Sequence, residues 1–145
     1  MTEEELYDLL PAGDVEYLVE KELLSSIVVN RVGQEIHVVF SSYQMPDGNY
    51  TPSVTNLLVK LLPPYPNSNP DMFWTFPHIR LKNGALPDRA NLMQVPAPSG
   101  FEMLYDNVEW QRWSRHYQQS NLWRPGIDGL QTYMASIRIE LAKGR

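Results

Sequence analysis

The sequence predicts an α+β fold in one domain over residues 1–145. A short capped helix pattern opens the chain, three β-rich segments follow in close succession, and one long amphipathic helical stripe closes it. Asp14–Glu20 reads as the opening helix, with Asp14 as its cap and Val15, Leu18 and Val19 on one face. A weaker turn over Glu3–Leu9 precedes it and ends at Pro11.

Ser26–Arg31 is β-branched and stops at Gly33, and Glu35–Tyr43 alternates, with Ile36, Val38 and Phe40 on one side. His37 falls on the opposite side and is expected at the surface. Pro46-Asp47-Gly48-Asn49 suits a tight turn, and Thr55–Leu62 is apolar on both faces, as a central strand would be. The simplest topology is an antiparallel meander. Pro63 to Pro70 carries too many prolines for helix or central strand and is expected to cross the surface extended. Met72-Phe73-Trp74 and Ile79-Arg80-Leu81, on either side of Pro77, read as a broken fourth strand. Ala85–Asn107 is rich in Pro, Gly, Asn and Ser and reads as a long functional loop. After Pro125-Gly126, the spacing of Ile127, Leu130, Met134, Ile137 and Leu141 predicts the terminal helix.

Hydrophobic residues make up 43% of the chain and charged residues 20%, which is globular usage rather than the signature of disorder. A formal net charge of -5 with scattered basic residues argues against nucleic acid and for protein partners. No apolar run is long enough to span a bilayer, and Met1-Thr2-Glu3-Glu4-Glu5 has the wrong charge for a signal peptide, so the expected location is the cytoplasm. The chain has no cysteine, which removes disulfides and thiolate chemistry. His37, His78 and His116 lie far apart without carboxylates at ligand spacing, so no metal and no cofactor are expected.

The densest chemistry lies in Trp110-Gln111-Arg112-Trp113-Ser114-Arg115-His116-Tyr117, followed by Leu122-Trp123-Arg124-Pro125. Trp110 and Trp123 are expected to pack the terminal helix onto the sheet. Ser114 with His116 two residues on is a candidate nucleophile and base, since a serine hydroxyl attacks only when a base takes its proton. There is no Gly-x-Ser-x-Gly elbow, which disfavours an unrelated serine hydrolase.

In order, these features resemble the ubiquitin-conjugating-enzyme (UBC) superfamily, and more closely a bacterial family of it encoded beside ubiquitin-like proteins, activating enzymes and JAB-type proteases. Pro63-Pro64-Tyr65-Pro66 with Pro70 looks like the superfamily's Pro-rich crossing, and Trp123-Arg124-Pro125 looks like its Trp-x-Pro. Pro70-Asp71-Met72-Phe73-Trp74 and Trp113-Ser114-Arg115-His116 are similar to the bacterial family's more specific stretches. The resemblance implies a UBC-like fold: an N-terminal helix, a four-strand antiparallel meander, a long active-site loop and a C-terminal helix. It places Ser114, nine residues before Trp123, where ordinary members carry the active-site cysteine.

The implied role is that of a ubiquitin-like protein conjugating enzyme. Ser114 takes the carrier's C-terminus as an oxyester from an ATP-dependent activating enzyme and passes it to a lysine amine, with His116 as base. A JAB-type protease is implied in the same pathway. Phe76-Pro77-His78-Ile79 looks like a scrambled remnant of the superfamily's His-Pro-Asn, so the oxyanion asparagine of ordinary members has no clear equivalent. Asn83, Arg112 and Arg115 are the candidates for oxyanion or tail binding. The alternative is a catalytically inactive interaction module of the same fold.

Overall fold

The computed structural model describes residues 1–46, 48–94, 109–117 and 120–145. The candidate loop's residues 95–107, and Asp47 of the proposed turn, lie outside them. A six-stranded antiparallel sheet is built from β1 (Ile27–Val32), β2 (Glu35–Gln44), β4 (Val54–Leu61), β5 (Phe73–Phe76), β7 (Ala90–Gln94) and β8 (Glu109–Trp113). Their order is β1-β2-β4-β5-β8-β7, and β3 (Tyr50–Thr51) pairs with β6 (Arg80–Leu81) in a separate ribbon. The helices are α1 (Glu3–Tyr7), α2 (Ala12–Glu20) and α3 (Leu130–Ala142). Among the described residues no helix is long and apolar enough to cross a membrane.

The expected four-strand meander is present as β1-β2-β4-β5, but two further strands extend it. Ala90–Gln94, read from sequence as loop, is an edge strand, and Glu109–Trp113 lies between it and β5. The broken fourth strand divides: its first part is β5, and Arg80-Leu81 joins the ribbon instead. The Pro-rich crossing is turned rather than extended, with the Tyr65 amide donating to the Leu62 carbonyl and the Asn67 amide to the Pro64 carbonyl, both at 2.8 Å.

Side-chain alternation divides the sheet into two faces. Val38, Leu57, Val59, Phe73 and Trp113 face the helices and form the main core with Leu6, Leu18, Leu130, Ile137 and Leu141. Val39, Leu58, Trp74 and Trp110 pack together on the other face. Trp110 therefore does not hold α3 to the sheet as expected. Trp113 supplies the large aromatic on the helix side, stacked on Phe73 at 5.3 Å. His37 is likewise not a surface residue: only 8% of it is exposed, because the outer face is itself covered. Its Nε2 lies 3.0 Å from Glu35 Oε1, and burial lowers its pKa.

Asp14 does not cap its own helix; Pro11 stands at that position, and Asp14 lies buried within the first turn of α2. Its carboxylate instead receives the Leu130 amide at 3.0 Å and the Tyr65 hydroxyl at 2.6 Å, so it caps the start of α3 from another helix. Burial raises the Asp14 pKa, against the pull of these two donors. Ile127, expected in the terminal helix, is 71% exposed and precedes it. The other end of α3 is held by the Tyr50 hydroxyl, which donates to the Leu141 carbonyl at 2.6 Å.

Gly129 is the residue that lets Asp14 approach: a Cβ there would stand 2.4 Å from Asp14 Oδ1. Gly129→Ala must therefore displace the carboxylate, and Asp14→Ala removes it, each leaving buried donors unpaired at a cost of about 1–3 kcal/mol. Because both changes break one contact, the double variant should be destabilised by clearly less than the sum of the single ones. Urea unfolding of the three variants checks this, and additive losses would show that Gly129 and Asp14 act separately.

Candidate active site

Strand β8 carries the candidate residues, and a buried amide fixes it. Gln111 is fully buried; its Oε1 accepts from the Thr75 hydroxyl at 3.0 Å and the Ile79 amide at 2.7 Å, and its Nε2 donates to the Ile79 carbonyl at 2.9 Å. The Trp113 indole N–H donates to Thr75 Oγ1 at 2.9 Å. Every polar atom of the Gln111 amide group thus has a partner inside the core, as a buried amide requires.

Past Trp113 the ladder continues for one more rung: the Ser114 amide donates to the Arg89 carbonyl at 3.0 Å, and the Ser114 hydroxyl donates to the same oxygen at 3.3 Å. Arg89 holds a left-handed φ of 57°, unusual for a residue with a side chain. Ser114 is partly exposed, and its hydroxyl bond goes to Arg89 rather than to His116.

His116 is exposed, and its Nδ1 lies 2.7 Å from Asp71 Oδ2. The other oxygen of Asp71 accepts the Tyr117 amide at 3.2 Å, which holds the carboxylate in place. A carboxylate on Nδ1 fixes the orientation of the ring, a relation also found in acid–base dyads. Sequence reasoning missed Asp71, which lies 45 residues from His116. The available signal was its place in the Pro70–Trp74 stretch, directly before β5.

The remaining candidates separate. The Arg115 guanidinium is buried: Nε donates to the Asp88 carbonyl at 2.9 Å, one terminal nitrogen meets Glu140 at 3.7 Å, the other donates to the Arg145 carbonyl, and the group lies 5.0 Å from the Trp113 ring. It ties the site segment to α3. Asn83 turns its Oδ1 onto the Ala85 amide at 3.0 Å, within the turn after β6. Arg112 stands opposite Trp74 and Asn91 in the ladder, and its buried Nε has no hydrogen-bond partner among the described residues. Trp123 donates its indole N–H to the Pro66 carbonyl at 2.9 Å and meets the rings of Tyr65 and Tyr117. It joins the Pro-rich crossing to the site segment, and Tyr117 in turn touches Tyr133 of α3.

The model of prokaryotic E2 family E matches residues 10–144, nearly the whole described fold and all of the candidate site. The chain belongs to that family. No curated protein and no solved structure matches it. Membership gives this E2-like α+β chain a conjugating-enzyme-like, transferase role, with a ubiquitin-like protein and an activating enzyme as the partners such a role implies.

In this family E chain the Trp123-Arg124-Pro125 turn is closed by Asp128. Its carboxylate accepts the Arg124 amide at 2.8 Å and pairs with the guanidinium at 3.0 Å, and Thr132 donates at 3.0 Å. The Arg124 side chain first, and its amide second, push the Asp128 carboxyl down to about 2 from 3.8. A carboxyl held below its unfolded value adds stability above that value and loses it as the pH falls toward the folded one. Asp128→Asn should therefore be less stable than wild type at neutral pH, with the gap closing between pH 3.8 and about 2. Denaturant midpoints taken across that range test it, and a gap that persists at the acid end would assign the effect to packing rather than to charge.

Proposed function

We propose that the chain is an acyl transferase of a ubiquitin-like conjugation pathway, with Ser114 as the acceptor and His116, oriented by Asp71, as the base. The observation that carries this reading is the Asp71–His116 pair two residues beyond Ser114. In an extended segment two residues span about 6.6 Å, within reach of a serine hydroxyl turned toward an imidazole. The alternation that sends Arg115 to α3 supports a shared side for Ser114 and Arg112.

In loading, Ser114 Oγ attacks the carrier's activated C-terminal carbonyl carbon. The new C–O bond forms, the bond to the activating enzyme breaks, and the hydroxyl proton passes through His116 Nε2 to the leaving group. In transfer, a lysine amine attacks the ester carbonyl, the C–N bond forms, the C–Oγ bond breaks, and a proton from the amine returns through His116 to Oγ. Both steps pass through an oxyanion, and Arg112 is the favoured donor because its guanidinium has bonding capacity left. Arg115 is already engaged within the fold, and Asn83 is turned with its Oδ1 onto the Ala85 amide in the turn after β6. The ordered register keeps backbone N–H groups near the acceptor as well. A JAB-type protease would complete the pathway by releasing the carrier.

Incubation with activating enzyme, ATP and the cognate carrier, resolved on denaturing gels, tests the reading. The expected adduct survives reducing agent and is cleaved by mild base. Ser114→Ala should abolish it. His116→Ala should slow loading by about two powers of ten or more, and Asp71→Asn by about tenfold or more, both with folding intact. A base-labile adduct on Ser114→Ala would move the acceptor to another hydroxyl. No adduct at all with a verified partner set would favour the inactive interaction module.

A further inference from the structure

A large cleft among the described residues lies away from Ser114, between α2, the irregular part of β2 and α3, with a volume of about 780 Å³. It is open to solvent, and none of its described lining residues belongs to the candidate active site. The two regions flank α3 on opposite sides. Tyr133, Ser136 and Glu140 face the cavity beside His116, whereas Gln131, Met134, Ala135 and Arg138 face this one. Residues spaced by three and four share a helix face, so the division follows from the helical repeat.

The cleft has an apolar floor, with Phe40 and Met134 buried and Leu23 beside them. Among the described lining residues the charged ones are Lys21 and Arg138, both cations, with no acidic residue beside them, on a chain of net charge -5. Arg138 is held in place by the Tyr43 ring at 5.8 Å and by donation to the Gln44 carbonyl. Lys21 and Ala135 are exposed. The rim is also where the sheet departs from regular pairing. Between Phe40 and Tyr43 the register of β2 shifts, and Ser42 takes a φ of 56° with its amide on Asn56 Oδ1 at 3.2 Å. Such a bulge re-aims a strand and is costly for a residue with a Cβ.

We propose that this cleft binds an acidic peptide segment of a partner protein, with one bulky apolar side chain on the Phe40–Met134 floor and carboxylates against Lys21 and Arg138. The apolar floor supplies an anchor site and the two cations supply the sign of the flanking charge. An open cleft between a helix and a strand admits a chain that enters at one end and leaves at the other. A small ligand would be enclosed over most of its surface. The proposal stands independently of the loading chemistry at Ser114.

The test uses the full chain and three probes: a fluorescein-labelled peptide with a central Leu-Phe pair flanked by glutamates, the same peptide flanked by lysines, and anilinonaphthalene sulfonate. Anisotropy should show the glutamate peptide binding and the lysine peptide binding about tenfold or more weakly. Lys21→Glu with Arg138→Glu should reverse that order, and Ala135→Trp, which fills the cleft from an exposed helix position, should weaken the glutamate peptide with the melting temperature unchanged. Ser114→Ala should leave binding intact. Equal affinity for the two peptides, or indifference to Ala135→Trp, overturns the proposal. Displacement of the sulfonate dye by Ala135→Trp without any peptide binding overturns it too, in favour of a small-molecule site.

Discussion

The pairing of β8 with β5 is the constraint on which the candidate site depends. Gln111 sets it, because its buried amide is satisfied only when Thr75 and both backbone groups of Ile79 stand at the distances observed. A slip of one residue would turn Gln111 and Trp113 to the outer face and Arg112 into the apolar core. An unpaired guanidinium would then be buried in the core and the Gln111 amide would lose all its partners, which the fold cannot tolerate. The same register delivers Tyr117 to Asp71, and the pairing of β8 with β7 on its other side delivers Ser114 to Arg89. Core packing and site geometry are therefore one problem with one solution.

Helix α3 closes the opposite side, and it is held at three points by groups distant in sequence. Asp14 receives its first amide, Tyr50 donates to its last turn, and Arg115 reaches Glu140 from the site segment itself. The Arg115 guanidinium, next to the proposed acceptor, is spent on structure, while Arg112 stands on the outer face opposite Trp74. Lys60 lies 4.3 Å from the Trp74 ring on that outer face, and burial lowers its pKa.

Periodicity made β1, β2 and β4 legible, along with the stripe of α3, since each buries one clear set of apolar residues. The strand at Ala90–Gln94 was not legible, because an edge strand paired on one side needs no apolar run, and Asn91 and Leu92 are exposed. Glu109–Trp113 was hidden differently: its Gln and Arg look polar, yet one is buried by an amide network and the other only partly covered. Asp14 misled because a caps rule sees only the nearest helix, while its real partner lies 116 residues away. Asp71 escaped for the same reason. Ser114 and His116, two residues apart in the chain, were readable as a pair, but the group that orients the imidazole could come only from the fold.

That orienting group bears on the proposed serine chemistry. A thiol loses its proton readily near neutral pH, whereas a serine hydroxyl needs a base at the moment of attack, and the resulting ester needs one again when an amine arrives. A free imidazole rotates; one held through Nδ1 by a carboxylate that is itself fixed by the Tyr117 amide would keep one orientation through both proposed steps. In the resting structure the Ser114 hydroxyl spends its only proton on the Arg89 carbonyl, an oxygen presented by a residue in the left-handed region. In the proposed relay that bond keeps the nucleophile turned away from the base. An arriving carrier tail that displaces the hydroxyl from Arg89 would bring acceptor, base and carbonyl together in the same event, so that activation of the serine follows from the presence of its substrate.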